Sequence, residues 1–321
     1  MKITLIYTAY FEKLADEQLD MIRATAPDAT ITEVNGSEMQ VEDIVDSDII
    51  FGRIPSHMLP QLKKLKWNHM PTAGADGMTD KSLYASESII VTKASGTYGI
   101  PIAEHIVGMI LALSHTFVYY FEKQEKSLWC DKIPTNLVDI YGSTVLVLGL
   151  GDIGTEVCRR LSGFGCNIIG FRQNASKPHE LVSDVRSISQ LKETLPSADY
   201  IIICTPGTEK TTNLFGSEEF NLMKKRAIII NIGRGKIIDT DALNEALVTG
   251  KIGGAGLDVT DPEPLPKDHP LWKAPNVLIT PHVSGITQTA TDRRVTVFLD
   301  LLKRYVDGRE LYNIVNLDEG Y

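Results

Sequence analysis

Three short motifs in the second half of the chain hold residues that together could move a proton at a carbonyl beside a carboxylate. Arg234 lies in NIGRGKIID, Glu263 in DVTDPEPLP and His282 in TPHVSG, each just past the carboxyl end of an apolar run that reads as a β-strand. That is the edge at which open α/β sheets bind ligands. An arginine's planar fork binds a carboxylate bidentately and never deprotonates, so Arg234 suits the task of holding a carboxylate and polarising a ketone. Histidine ordinarily titrates near working pH, which suits His282 to serve a nascent alkoxide as acid and base. Glu263 beside it would favour the imidazolium by opposite charge and fix the ring tautomer. Each residue also has a plainer reading, as a loop-capping arginine, a solvated glutamate or a histidine that ends a strand, but all three at these places form a coherent set.

A second set points to a dinucleotide. Gly149-Leu150-Gly151-Asp152-Ile153-Gly154 follows the apolar run TVLVL and precedes an amphipathic stretch, the strand-turn-helix context that such a pattern needs. The glycines serve a tight turn, close approach of backbone to a pyrophosphate, and close helix-strand packing. The phosphate charge meets the positive end of a helix beginning near Asp152. The next strand, CNIIGF, ends at Arg172, followed by Gln173 and Asn174, where an acidic residue would accept the ribose hydroxyls. Arginine cannot accept them, but it pairs with a 2′-phosphate, which favours NADP over NAD. A solvated arginine, with the cofactor choice set elsewhere, is the competing reading.

The elements that must position these residues come in two series. KITLIY, ATITEV, DIIFG, KWNHM and IIVT alternate with helix-like segments at 12–25, 39–45, 56–65 and 78–84, the pattern of a βαβ sheet with parallel strands. After Gly96 and Gly99, an apolar stripe with Pro101 near its start runs to Tyr120 and reads as one long helix buried between domains. From Ser143 the alternation repeats through CNIIGF, ADYIIIC, RAIIIN, GGAGLDV and NVLIT. An amphipathic stretch at about 289–307 has no strand after it and is free to cross back onto the first domain. The expected domains are 1–97 plus 289–321, discontinuous and substrate-binding, and 98–288, dinucleotide-binding.

Length and composition fit two such domains: 321 residues exceed the span of one core, and 43% apolar content can fill both. A net charge of -9 argues against nucleic acid or an anionic membrane as partner. Cys130, Cys158, Cys166 and Cys204 show no metal-ligand spacing and no disulfide framework, so no metal is expected. The N-terminus, MKITLIYTAYFEK, lacks the pattern of a signal peptide, and no run approaches membrane-spanning length. These features read as a reduced, cytoplasmic enzyme.

With the glycine fingerprint, the Arg234, Glu263 and His282 motifs make the chain resemble the D-isomer-specific 2-hydroxyacid dehydrogenase family. The resemblance covers almost the whole sequence. IPIAEHIVGMILAL resembles the family's interdomain helix, Cys204-Thr205-Pro206 its nucleotide loop, with Ile232 among the cofactor contacts, and Gly256-Leu257-Asp258-Val259 the strand end whose aspartate faces the nicotinamide amide. Thr72-Ala73-Gly74-Ala75-Asp76 resembles the substrate loop, with the N–H groups of Ala73 and Gly74 as carboxylate donors, although AGAD replaces a longer glycine-valine-glycine form. Arg53 could add a second cation or be a surface residue. Trp129 resembles a tryptophan that shapes the substrate pocket, in its own or a neighbouring subunit's site. His57, His69, His105, His115, His179 and His269 read as structural.

The resemblance implies a flavodoxin-like substrate domain and a Rossmann cofactor domain, both doubly wound, with the active site in the interdomain cleft. It implies reversible reduction of a small 2-keto acid to the D-2-hydroxy acid by NADPH or NADH, in a homodimer. Which keto acid is used stays open. A formate dehydrogenase-like enzyme and a non-catalytic, nucleotide-sensing regulator of the corepressor type are the alternatives.

Overall fold

The two series of β-branched runs form two all-parallel sheets in the computed structural model, which describes residues 1–8, 11–75, 77–129 and 137–317. Asp76 and Cys130 lie outside the described residues. The chain divides into two compact units, one of Met1–Tyr98 with Ile286–Tyr321 and one of Gly99–Gly285.

In the first unit, β1 (Lys2–Tyr7), α1 (Asp16–Thr25), β2 (Thr30–Asn35), α2 (Val41–Ile44), β3 (Ile49–Phe51), β4 (Trp67–Met70) and β5 (Ile90–Lys93) follow in turn. The sheet order β2-β1-β3-β4-β5 is the flavodoxin-like order. Two expected helices are instead short 3-10 turns, Ser56–Gln61 and Lys81–Leu83. Pro60 inside the first lacks the N–H that a further α-helical turn would need.

The second unit opens with α3 (Gly99–Ser114) and α4 (Phe117–Glu125). The single helix expected here is therefore broken. The Ser114 hydroxyl bonds back to the Ile110 carbonyl at 2.6 Å, and Thr116 takes a left-handed φ of 52°, a conformation that ends helices. The two segments meet at a bend of 72°, and among the described residues no single helix is long and apolar enough to cross a membrane. The chain continues as β6 (Thr144–Leu148), α5 (Asp152–Leu161), β7 (Asn167–Phe171), β8 (Asp184–Arg186), α6 (Leu191–Thr194), β9 (Tyr200–Ile203), α7 (Ser217–Leu222), β10 (Ile228–Asn231), α8 (Thr240–Val248), β11 (Gly254–Leu257) and β12 (Val277–Ile279). The sheet order is β12-β11-β10-β9-β6-β7-β8. The edge strand β8, only Asp-Val-Arg, is too short and too polar to register as a strand in the sequence. α3 buries Ile102, Ala103, Ile106, Met109, Ile110 and Leu113 and packs on β10, β11, β12 and α5 of its own unit.

The last helix, α9 (Ala290–Val306), belongs to the first unit. Its Phe298 ring stacks on Phe51 at 4.3 Å and on Trp67 at 5.5 Å, so the chain's end completes a core begun by its first strands. His69 is enclosed by the same rings. Its Nδ1 and the Trp67 indole N–H share the Thr92 hydroxyl, each at 2.8 Å.

Burial favours the neutral ring and pushes the His69 pKa from 6.5 down to about 3. Above pH 6.5 neither the folded nor the unfolded chain holds a proton here, whereas between pH 6.5 and about 3 only the unfolded chain binds one. Stability is thus lost as pH falls through that window, by at most about 1.4 kcal/mol per pH unit from this group. His69→Gln is expected to flatten that loss when urea midpoints are compared at about pH 7 and about pH 5. Parallel losses in variant and wild type would refute it.

Candidate active site

Strand register brings the second unit's chemistry into line. Across the sheet Phe171, Leu148, Ile203, Asn231, Leu257 and Ile279 pair in one row, so the next residues, Arg172, Gly149, Cys204, Ile232, Asp258 and Thr280, leave the carboxyl edge together. Strand order reverses at β6, flanked by β9 and β7, which makes the turn after it the switch point where doubly wound sheets bind ligands.

At that turn Gly149 has a φ of 97°, and a Cβ on Gly154 would lie 1.8 Å from the Gly149 carbonyl oxygen, so only glycine permits this approach of helix to strand. Gly151 is the N-cap of α5, whose first residues are Asp152 and Ile153. The Asp152 carboxylate accepts the Gly99 N–H at 3.1 Å and ties the start of α5 to the start of α3. Beside the turn, the Thr205 hydroxyl oxygen is buried and has no hydrogen-bond partner among the described residues. Such an orphan at a ligand-binding edge is one that a bound molecule would satisfy. Its neighbour Cys204 is a free thiol pushed up by burial, hence unreactive, and Pro206 beyond it is exposed. Arg172 is half-buried, and its guanidinium donates to the Lys177 carbonyl at 3.4 Å. The glycine turn, the helix N-terminus and the orphan hydroxyl fit a dinucleotide.

Glu263 and His282 meet. The His282 Nδ1 lies 2.7 Å from Glu263 Oε1, with the side chains 50% and 43% exposed. A carboxylate only accepts, so Nδ1 carries the proton and Nε2 is the ring nitrogen not engaged by Glu263. At this exposure the pair adds little stability. Its effect is on tautomer and orientation. The loop bearing Glu263 is pinned by the Thr240 hydroxyl on the Asp261 carbonyl at 2.8 Å and the Thr260 hydroxyl on the Pro262 carbonyl at 2.9 Å.

Arg234 leaves β10 through a turn held by Asn231, whose side chain accepts the Gly233 N–H and donates to the Arg234 carbonyl, both at 3.0 Å. Its Nη1 donates to the Gly233 carbonyl at 2.6 Å. A Cβ on Gly235 would sit 2.0 Å from the Thr260 carbonyl oxygen, so the Arg234 turn and the strand end leading to Glu263 are in backbone contact.

Asp258 is 1% exposed, and both carboxylate oxygens are occupied: Oδ1 by the Thr280 hydroxyl at 2.6 Å and the Val283 N–H at 2.9 Å, Oδ2 by the Ser284 N–H at 3.0 Å. Thr280 in turn bonds His105 Nε2 at 3.0 Å. Thr280 and His105 carry no signature by which a linear reading finds them; the only hint is a threonine two places before His282.

The remaining expected residues belong to the first unit or to loops. Arg53 is exposed after β3. Ala73 and Gly74 are half-buried in the turn after β4, where the Thr72 hydroxyl donates to the Gly74 carbonyl at 2.7 Å and the Thr72 carbonyl accepts the Ala94 N–H at 2.9 Å. Trp129 is 94% exposed.

Over residues 107–284 the chain matches the family described as D-isomer specific 2-hydroxyacid dehydrogenase, NAD binding domain. It is 34% identical over 284 residues to the D-3-phosphoglycerate dehydrogenase of Methanocaldococcus jannaschii, covering 87% of this chain and 54% of that protein, about half the relative's length. It is 33% identical over 259 residues to the chloroplastic/mitochondrial formate dehydrogenase of Arabidopsis thaliana, covering 80% of this chain and 67% of that one. Among solved structures, a D-isomer specific 2-hydroxyacid dehydrogenase family protein from Aeromonas salmonicida superposes with a TM-score of 0.86 at 28% identity, covering 99% of both chains.

The backbone contact at Gly235 is directly testable. Gly235→Ala must push the Thr260 carbonyl aside, and overpacking of this kind costs about 1–3 kcal/mol. A lowered melting temperature is expected, and a wild-type melt would mean the two turns are not in contact.

Proposed function

The chain belongs to the D-isomer-specific 2-hydroxyacid dehydrogenase family of NAD(P)-dependent oxidoreductases, and we propose that it reduces a small 2-keto acid to the D-2-hydroxy acid with NADPH preferred. The contact of His282 with Glu263 at 2.7 Å, on the sheet edge that also bears the dinucleotide turn and Arg234, carries this reading. Backbone amides of Asp152 and Ile153 at the start of α5 would hold the pyrophosphate, with Gly149, Gly151 and Gly154 giving it room. Thr205, flanked by Cys204 and Pro206, and Ile232 would border the rest of the dinucleotide. When bound, the nicotinamide supplies the hydride.

The protein's own groups do the remaining work. Arg234 binds the substrate carboxylate and draws charge toward the ketone oxygen. His282, doubly protonated, gives its Nε2 proton to the developing alkoxide while Nδ1–H stays on Glu263. In the reverse direction the neutral ring accepts that proton at Nε2. Ala73 and Gly74 N–H groups and Arg53 are the proposed further substrate donors. Arg172 pairs with the 2′-phosphate that distinguishes NADPH from NADH. Formate oxidation releases carbon dioxide and needs no protonated histidine, so the Glu263 and His282 pair favours keto acid reduction. Exposed Phe117, Phe121, Leu128 and Trp129 support a homodimer, to be read from the mass in solution.

His282→Ala is expected to lower kcat by roughly 100- to 10,000-fold, the range typical of a lost general acid. Arg234→Ala should both raise KM for the keto acid and lower kcat. Near-normal kinetics in either variant sinks the mechanism, and tight nucleotide binding without turnover of any keto acid would indicate a regulator. Arg172→Ser should raise KM for NADPH and leave that for NADH nearly unchanged; equal effects on both would remove Arg172 from the phosphate site.

A further inference from the structure

We propose that His105, on α3 and remote in sequence from every catalytic motif, is a positioning residue for His282, acting through Thr280 and Asp258. This rests on the reading of His282 as the acid and base. His282 is a non-glycine residue with a left-handed φ of 55°. A side chain on such backbone persists where its surroundings over-determine it. Here Asp258 supplies most of the hold: its carbonyl accepts the His282 N–H at 2.8 Å, a proton shared with the Thr280 carbonyl at 3.0 Å, and its carboxylate accepts the N–H groups of Val283 and Ser284. The catalytic ring thus projects from a turn gripped on both sides by Asp258.

Proton accounting then gives the chain a direction. The Asp258 carboxylate only accepts, so the single Thr280 hydroxyl proton goes to Oδ1 at 2.6 Å. Toward His105, Thr280 Oγ1 is therefore the acceptor, and His105 Nε2 carries a proton and donates it at 3.0 Å. The same nitrogen is 4.0 Å from Asp258 Oδ1. His105 orients the Thr280 hydroxyl, the hydroxyl holds the carboxylate, and the carboxylate shapes the turn that aims His282 at Glu263. α3 supplies the rigid end, because it packs on β11 and β12, the strands that carry Asp258 and Thr280. Removing a link takes a bond from the hydroxyl that Asp258, 1% exposed, relies on, and the loss falls on the turn bearing His282.

Thr280→Val keeps the side chain's shape and deletes the hydroxyl; His105→Leu deletes the donor; Thr280→Ser restores the hydroxyl. In the full-length protein, hydrogen exchange at the Val283 and Ser284 amides should quicken in the first two variants by about tenfold or more and return toward wild type in the third, with the melting temperature little changed. With NADPH and a keto acid that the wild type reduces, kcat should fall by about tenfold in Thr280→Val and His105→Leu, while NADPH affinity, read from its fluorescence, stays within about twofold. Unchanged exchange in both variants overturns the proposal, as does a loss that Thr280→Ser fails to recover. If the wild type reduces no keto acid, the functional reading fails on its own, and the exchange measurement still decides whether this chain holds the turn.

Discussion

Parallel register is the constraint on which the second unit depends. One row of paired residues, from Phe171 to Ile279, makes six strands end together. A slip of one residue in any of these strands would turn its side chains to the other face and move its terminal residue off the line. The register is held in place by buried apolar runs, VLVL of β6, YIII of β9 and III of β10 among them, that leave no solvent-facing side to tolerate a shift. The hydrophobic core therefore decides where Gly149, Arg172 and Asp258 lie, although none of them contributes to it.

Close backbone approach refines what register sets. The contact of the Gly235 turn with the Thr260 carbonyl brings the loops of Arg234 and Glu263 to the same place, and the second loop is fixed by the Thr240 hydroxyl of α8 and by its own Thr260 hydroxyl. The site is stiffened by bonds to backbone rather than by ion pairs. The contact between Glu263 and His282 lies half in solvent, where an ion pair orients its partners but stabilises little.

Much of this was legible in the chain because the signals are local. Strand ends, the glycine turn and the Arg, Glu and His motifs each occupy fewer than about ten consecutive residues, within the range over which periodicity and turn chemistry act. What escaped is of two kinds. Where composition is ambiguous, local rules misjudge geometry: the apolar stripe to Tyr120 contains no proline or glycine at its break, where Ser114 bonds back to its own helix and Thr116 turns left-handed. The strand Asp184–Arg186 exists because β7 offers it an edge, and its three residues do not announce it. The other kind is tertiary. His105 and Thr280 are 175 residues apart, and no pattern within either neighbourhood relates them.

The two residues most easily dismissed from the sequence, a histidine on an apolar helix and a threonine before a proline, are linked through Asp258 to the residue on which catalysis is proposed to depend. Packing explains why His105 is on α3, but packing alone asks for no donor, and a leucine would fill that space with less desolvation. The observed geometry, with a donor aimed at a hydroxyl that is itself committed to a buried carboxylate, has a cost that packing does not offset. It is accounted for when the carboxylate's other bonds are considered, because these hold His282 in a conformation its own side chain disfavours. A side chain held on strained backbone needs a support more rigid than a loop, and the long helix α3 provides it.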